Sequence, residues 1–405
     1  MTQLFKPVPG TGQFIFACPL CQGKLDWVSS DGVYCAADDL TFACEDGIWH
    51  FLLPQRVAAL AQFRQEYEIV RQQEGRGSDD PAFYRALPFV GEGNPQITQI
   101  SQIFSSRSLR LKNDWAIRAQ SFGTLVKQVI LPLERVGKRP LSILDLGAGN
   151  GWLSNQLARR GHKVAAVDLG VSKWDGLGAH LYYETNFACL QAEFDHLPLE
   201  ENQVDVVIFN ASFHYSVDYA VTLGEARRVL REDGVIVVLD TAVYQHHASG
   251  QQMVAEREAA FNKQFGFASN ALPNENFLTP TRLNQLAEQL CLSWIQFDTV
   301  PMWRQWVRRL KVRLRGQREP AQFPIVVFAT GTTKEGEGVA DGRLWTARKN
   351  IKDFAEPVLS LPKDLTDFPT SSFFSVPSVA KNSLWLFLAR VGQQGVLLLF
   401  VALVA

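Results

Sequence analysis

The segment LSILDLGAGNGW, residues 141–152, constrains this chain more than any other stretch. A short apolar strand over 141–146 runs straight into three glycines, Gly147, Gly149 and Gly151, and then into helical sequence over 152–160. Glycine lets a backbone turn tightly and approach a ligand closely. Sites for several nucleotide ligands share such a turn, so its neighbours must discriminate. Asp145 stands two residues before Gly147, where it would repel a bound pyrophosphate, and no Gly-Lys-Ser/Thr follows to form a phosphate-cradling loop. An acidic turn suits a ligand that carries positive charge.

Beyond the turn, apolar runs alternate with helical ones. Strands are expected over 163–168, 204–209 and 234–239, with a helix over 218–231 between the last two. A helix over 283–290 and strands over 292–300 and 323–330 complete the pattern, which implies a parallel sheet covered on both faces. The long loop from 240 to 280 carries its own helix near 251–264, and an insertion at this place often covers a ligand. Asp168 closes the strand after the glycine turn, where a carboxylate can accept hydrogen bonds from ribose hydroxyls. Glu193, in QAEFDHLP over 191–198, follows the third strand. Ligands bind at the carboxyl ends of such strands, so Asp145, Asp168 and Glu193 are expected to converge on one crevice.

Taken together, these residues resemble the class I S-adenosylmethionine-dependent methyltransferases of the type 11 kind, over about residues 141–330. The family's first motif reads Asp145, Gly147, Gly149 and Gly151; its ribose acid matches Asp168; its adenine-side acid aligns with Glu193, and Phe194 would flank adenine. VDVVIFN over 204–210 and ARRVLREDG over 226–234 match its middle motifs. The resemblance implies an α/β, Rossmann-like sheet of seven strands with the last antiparallel, and S-adenosylmethionine as cofactor. Asn210 joins the cofactor set, and with His214 and Tyr215 it is an acceptor-side candidate. Methyl transfer from a sulfonium is an in-line displacement whose rate comes largely from positioning and exclusion of water. His214 is a general base if the acceptor must lose a proton, or else a hydrogen-bonded structural histidine. NASF over 210–213 lacks the Asn/Asp-Pro-Pro-Tyr/Phe pattern of enzymes that methylate exocyclic amines of bases. The pair His246 and His247 reads as a solvated loop.

The N-terminal segment has its own chemistry. Cys18, Cys21 and Cys35 have the spacing of a zinc ribbon, where thiolates in a tight knuckle make tetrahedral Zn²⁺ sites. The segment resembles the ribbons attached to some bacterial methyltransferases, large-subunit rRNA guanine methyltransferases among them. Through Asp46-Gly47-Ile48 and Leu52-Leu53-Pro54 it also resembles small zinc-ribbon partner proteins of methyltransferases. Those ribbons repeat Cys-x-x-Cys, whereas here Asp38 follows Cys35. Asp38 or Cys44 completes the metal set, or the ribbon is metal-free. Cys189 and Cys291 are expected to be buried structural thiols.

Forty Lys and Arg against forty-one Asp and Glu give a net charge of -1, which argues against a dedicated polyanion binder. A hydrophobic fraction of 46% excludes global disorder, and six cysteines in this length do not make a disulfide scaffold. No apolar signal region opens the chain, so a cytoplasmic location is expected. Residues 303–318 carry seven Lys and Arg and no acid; this segment is a surface helix with its tryptophans on the sheet, a contact for an anionic membrane, or an RNA contact. The apolar stretch 384–405 is long enough to span a membrane, but Arg390, Gln393 and Gln394 interrupt it, so packing on protein or touching a membrane is an equal alternative. The expected units are a ribbon-like module (1–54), a helical cap (55–140), the methyltransferase-like domain (141–330), a weakly structured linker (331–382) and the apolar tail (383–405). The acceptor is expected to be a small molecule or lipid-linked. Methylation of rRNA and a non-catalytic module that only binds the cofactor are the alternatives, and the oligomeric state is left open.

Overall fold

A computed structural model describes residues 14–89, 106–136, 140–267 and 273–330. The expected linker 331–382 and apolar tail 383–405 lie outside the described residues, so the membrane-span expectation does too. Among the described residues no helix is long and apolar enough to cross a membrane.

Four short strands come first: β1 (Asp26–Trp27), β2 (Gly32–Cys35), β3 (Leu40–Glu45) and β4 (Ile48–His50). Seven follow: β5 (Ser142–Leu146), β6 (Lys163–Asp168), β7 (Ala188–Gln191), β8 (Val204–Asn210), β9 (Leu230–Leu239), β10 (Leu292–Phe297) and β11 (Ile325–Thr330). The seven lie in the order β7-β6-β5-β8-β9-β11-β10. The pairs among β5 to β9 are parallel, and β11 runs antiparallel to both of its neighbours. The continuous apolar runs of β5 and β8 exist because both faces are covered. Leu144, Leu146, Val207 and Phe209 face one core, and Ile143, Val206 and Ile208 face the other.

β9 starts earlier than expected, at Leu230, because the helix Tyr219–Val229 runs directly into it. The pairing with β8 shifts register between Val204 and Val206 to absorb the extra residues. Gly234 sits in that irregularity, where a side chain would meet Leu230 Cγ at 2.6 Å and the Asp205 carbonyl oxygen at 2.9 Å.

The ribbon-like module is not a separate body. β4 pairs in parallel with β7, in the register Ile48↔Cys189, Trp49↔Leu190 and His50↔Gln191, so the sheet has eleven strands. The edge that β7 would leave open is covered, as sheet edges generally must be. Side chains reinforce the seam: His50 Nδ1 lies 2.6 Å from Gln191 Oε1, and fully buried Trp49 packs against Phe16, Trp27 and Phe51. Because β4 runs with β7, the chain leaves β4 at the same edge where β5 to β8 end. Pro54 then starts the helix Pro54–Glu74, a residue suited to the first turn because its missing N–H has no helical partner there. Gly75, at φ +70°, ends that helix.

Within the expected helical cap, one long helix dominates the second half. It spans Ser106–Leu125, continues through a π-helical turn at Val126–Ile130, where Leu131 N–H reaches Val126 O, and ends in Leu131–Arg135. That turn carries the helix past Pro132, which has no N–H to give. The insertion helix is His247–Phe265, with His246 and His247 exposed at its start.

Two expectations are corrected. Cys189 is buried in β7, but Cys291 is exposed in the turn before β10, at φ +50°, because the chain reverses there. Trp303 and Trp306 in the basic helix Met302–Leu314 are 63% and 56% exposed rather than packed on the sheet.

Candidate active site

The glycine turn is folded over the end of β6. The amides of Gly147 and Ala148 both donate to the Val167 carbonyl, at 2.8 and 3.1 Å. Gly147 (φ +74°) has no room for a side chain, since a methyl there would lie 2.2 Å from Ser212 Cβ and 3.2 Å from Phe194 Cζ. Gly149 (φ +56°) has nothing within 4 Å of such a methyl, so its backbone borders open space. Gly151 caps the helix Trp152–Arg159 in the left-handed region. The turn thus places bare backbone at the floor of a crevice.

Asp168 stands where expected, at the end of β6. Its Oδ2 accepts from Gly149 N–H at 2.8 Å and its Oδ1 from Gly170 N–H at 2.7 Å. Burial raises its pKa, against the pull of those two amides. Asp145 stands elsewhere. It is fully buried beneath the turn, where Oδ2 accepts from Ser154 Oγ at 2.7 Å and Oδ1 meets no partner among the described residues. Burial pushes its pKa up to about 7. It lines neither cavity of the crevice, so the convergence of three acids reduces to Asp168 and Glu193.

Glu193, after β7, is held by Arg56 from the helix Pro54–Glu74. Arg56 Nε lies 2.9 and 3.1 Å from the two carboxylate oxygens and one terminal nitrogen lies 2.6 Å from Oε1. Phe194 packs edge-on against Phe209 at 5.7 Å.

The crevice has two connected chambers. The first, about 550 Å³, is lined from the sheet by Gly147, Asp168, Glu193 and Phe194 and from the helix by Arg56 and Tyr67. The second, about 820 Å³, is lined by Gly149, Asn210 and His214 and by Trp115, Arg118 and Arg257. Gly147, Tyr67 and Tyr215 border both. Tyr215 meets Tyr67 edge-on at 5.9 Å. Beside the turn, Asp175 accepts from Asn150 Nδ2 at 3.2 Å and pairs with Arg71 from the covering helix.

His214 lies in the short 3₁₀ turn Phe213–Tyr215 after β8. Its Nδ1 is buried with no hydrogen-bond partner among the described residues, as is Asn210 Oδ1. Burial, helped by Arg257 and Arg118, pushes its pKa down to about 4. The imidazole is therefore neutral at pH 7, and burial makes it resist protonation.

At the far edge of the sheet, the donor atoms of Cys18, Cys21, Cys35 and Asp38 all lie within 4.8 Å of one another. Asp38 Oδ2 is 3.1 Å from Cys18 Sγ and 3.2 Å from Cys35 Sγ, and the Cys21 and Cys35 sulfurs are 3.6 Å apart. Of the two alternatives for the fourth donor, Asp38 is in the group, while Cys44 packs against the apolar core. Three thiols and a carboxylate fit a tetrahedral zinc site. None of the four lines either chamber.

Sequence reasoning did not single out Arg56, Tyr67, Arg71, Asp175, Arg118 or Arg257. A signal existed for the covering helix: Leu60, Phe63, Tyr67 and Arg71 recur three and four residues apart, which puts them on one face. Arg118 and Arg257 carry no such local sign.

Residues 144–238 match the model of a family described as a methyltransferase domain. The chain is 39% identical over 92 residues to an uncharacterized methyltransferase of Mycobacterium bovis, which is 23% of this chain and 36% of that protein. It is 34% identical over 117 residues to the malonyl-[acyl-carrier protein] O-methyltransferase of Geobacter sulfurreducens, 27% of this chain and 42% of that one. Among solved structures, Haemonchus contortus phosphoethanolamine N-methyltransferase 2 in complex with S-adenosyl-L-methionine aligns with 50% of this chain and 52% of its own, at 14% identity and a TM-score of 0.36. The chain thus spans less than half the length of these curated relatives.

Proposed function

We propose, from the premise that this chain carries a class I S-adenosylmethionine-dependent methyltransferase domain, that it transfers a methyl group to a small-molecule or lipid-linked acceptor. The observation that carries the reading is the second chamber. It borders the same glycine turn as the first and has a neutral imidazole, that of His214, in its wall.

In this reading the first chamber holds the nucleoside. Asp168 takes the ribose hydroxyls while the Gly149 amide keeps its carboxylate in place. Glu193 and Phe194 border the base, and Arg56 fixes the orientation of Glu193. S-adenosylmethionine supplies an electrophilic methyl group on a positive sulfur. The chain orients the partners, with Tyr67 and Tyr215 bordering both chambers and excluding water between them. His214 is the chain's candidate to receive the acceptor's proton when the acceptor must lose one. Asp145 takes no part in contact; it holds the first turn of the helix after the glycines through Ser154.

We further propose that Cys18, Cys21, Cys35 and Asp38 hold a structural zinc ion that stiffens the ribbon on which β4 and the covering helix depend.

The test is transfer of tritiated methyl from S-adenosylmethionine into a fractionated lysate. Label in small metabolites or an organic-solvent extract is the expected result. Label in ribosomal RNA would replace the acceptor class, and cofactor binding without any labelled fraction would leave a binding module only.

A further inference from the structure

The second chamber carries more positive charge than its acids neutralise. Its acids are Glu66, Glu74 and Asp114. Glu74 and Asp114 both face Arg76, each at 3.0 Å, and Glu66 accepts from Gln62 at 2.8 Å. Arg71 is taken by Asp175. Arg118 and Arg257 remain. Arg118 lies over the Trp115 ring at 5.4 Å and makes no ion pair among the described residues. Asp240 acts on it only from beyond ion-pair distance, with Oδ1 taken by Ser121 Oγ at 2.6 Å, and does not line the chamber. Arg257 donates to Asn276 Oδ1, a neutral oxygen, and its Nε is buried without a partner. Guanidinium groups left without a carboxylate in a half-buried wall are costly unless something completes them.

Aromatic side chains line part of that wall. Phe261 and Phe265, with ring centroids 4.5 Å apart, lie one and two turns beyond Arg257 on the same helix, and Trp115 lies with Arg118 on the helix Ser106–Leu125. The chamber's volume, about 820 Å³, has room for a molecule that reaches from the arginines to these rings.

We infer that the acceptor is an amphiphilic anion, whose carboxylate or phosphate is bound between Arg118 and Arg257 and whose apolar body lies along Phe261, Phe265 and Trp115. The inference deepens the methyl-transfer reading and rests on it. His214, beside both arginines, then faces the part of the acceptor nearest the glycine turn.

The experiment uses the full chain saturated with S-adenosylhomocysteine, so that only the second chamber is open. The probe is the fluorescent sulfonate 1-anilinonaphthalene-8-sulfonate, with neutral N-phenyl-1-naphthylamine as its control. Arg118→Gln and Arg257→Gln are each expected to weaken the sulfonate probe about tenfold and leave the neutral probe unchanged, since each removes a charge-assisted hydrogen bond. Arg257→Lys, which keeps the charge, should recover most of the affinity. Displacement of the sulfonate by 1-naphthoate or by 1-naphthyl phosphate, but not by 1-naphthalenemethanol, identifies the preferred oxyanion. Equal effects on both probes, or no effect of either substitution, would overturn the inference while calorimetric binding of S-adenosylhomocysteine kept the methyl-transfer reading alive. Absence of that binding would overturn both.

Discussion

Arg56 and Glu193 are joined by three hydrogen bonds of 2.6 to 3.1 Å across 137 residues of sequence. The pair ties the helix that follows the ribbon to the loop that follows β7. Both ends of the tie depend on the parallel seam between β4 and β7, which delivers Pro54 to the carboxyl edge of the sheet.

Arg56→Ala leaves a carboxylate whose side chain is only 9% exposed without its cation. A loss of about 1–2 kcal/mol in urea unfolding is expected, discounted because Arg56 itself is partly exposed. Glu193→Gln combined with Arg56→Ala should cost less than the sum of the two changes, as a double-mutant cycle would reveal.

Asp168→Ala removes the acceptor of two backbone amides and the group assigned to the ribose. S-adenosylmethionine binding is expected to weaken by about 1–3 kcal/mol in calorimetry. Asp168→Asn, which can still accept from one amide, should fall between. Unchanged affinity in the alanine variant would count against the ribose assignment.

Asp145 gives a pH signature. Its pKa, raised by burial from 3.8 to about 7, means that the folded chain holds a proton that the unfolded chain releases. That contribution is fully present below pH 3.8 and is lost as pH rises through 7. Relative to Asp145→Asn, the wild type should therefore lose about 2–4 kcal/mol between these limits. Parallel melting curves at pH 5, 6, 7 and 8 for the two proteins test this; a constant difference in melting temperature would refute it.

His214 has the opposite signature. With its pKa lowered from 6.5 to about 4, the unfolded chain takes up a proton that the folded chain resists. Its contribution is present above pH 6.5 and is lost as pH falls through about 4. An imidazole resonance that titrates near 4 by NMR, and vanishes in His214→Gln, is the expected result. A midpoint near 6.5 would mean that the imidazole is solvated.

Zinc content decides the ribbon. Protein purified without added metal should carry about one zinc per chain, and Cys18→Ser should lower both that ratio and the melting temperature. Less than about a tenth of a zinc per chain would leave the ribbon metal-free.

Much of the sheet and of the first chamber's sheet-side lining was legible along the chain, because there the determinants are local. A strand buried on both faces is mostly apolar, a tight turn at positive φ favours glycine, and a carboxylate at a strand end sits at the sheet's edge whatever the rest does. Asp168 and Glu193 could be read this way. Asp145 could not, because sequence shows that an acid precedes the turn but not that its side chain turns inward to Ser154. The ribbon's cysteines were visible from spacing, yet the choice of Asp38 over Cys44 needed the donor atoms in space. The covering of the crevice is less local still. Arg56 finds Glu193 and Arg71 finds Asp175 only once β4 has paired with β7. Arg118 and Arg257, from helices far apart in sequence, share one chamber only once tertiary packing has brought both helices to the crevice. Local pattern sets which backbone can be made; long-range packing sets which charged groups are left facing each other across a cavity, and here that second step shapes the second chamber.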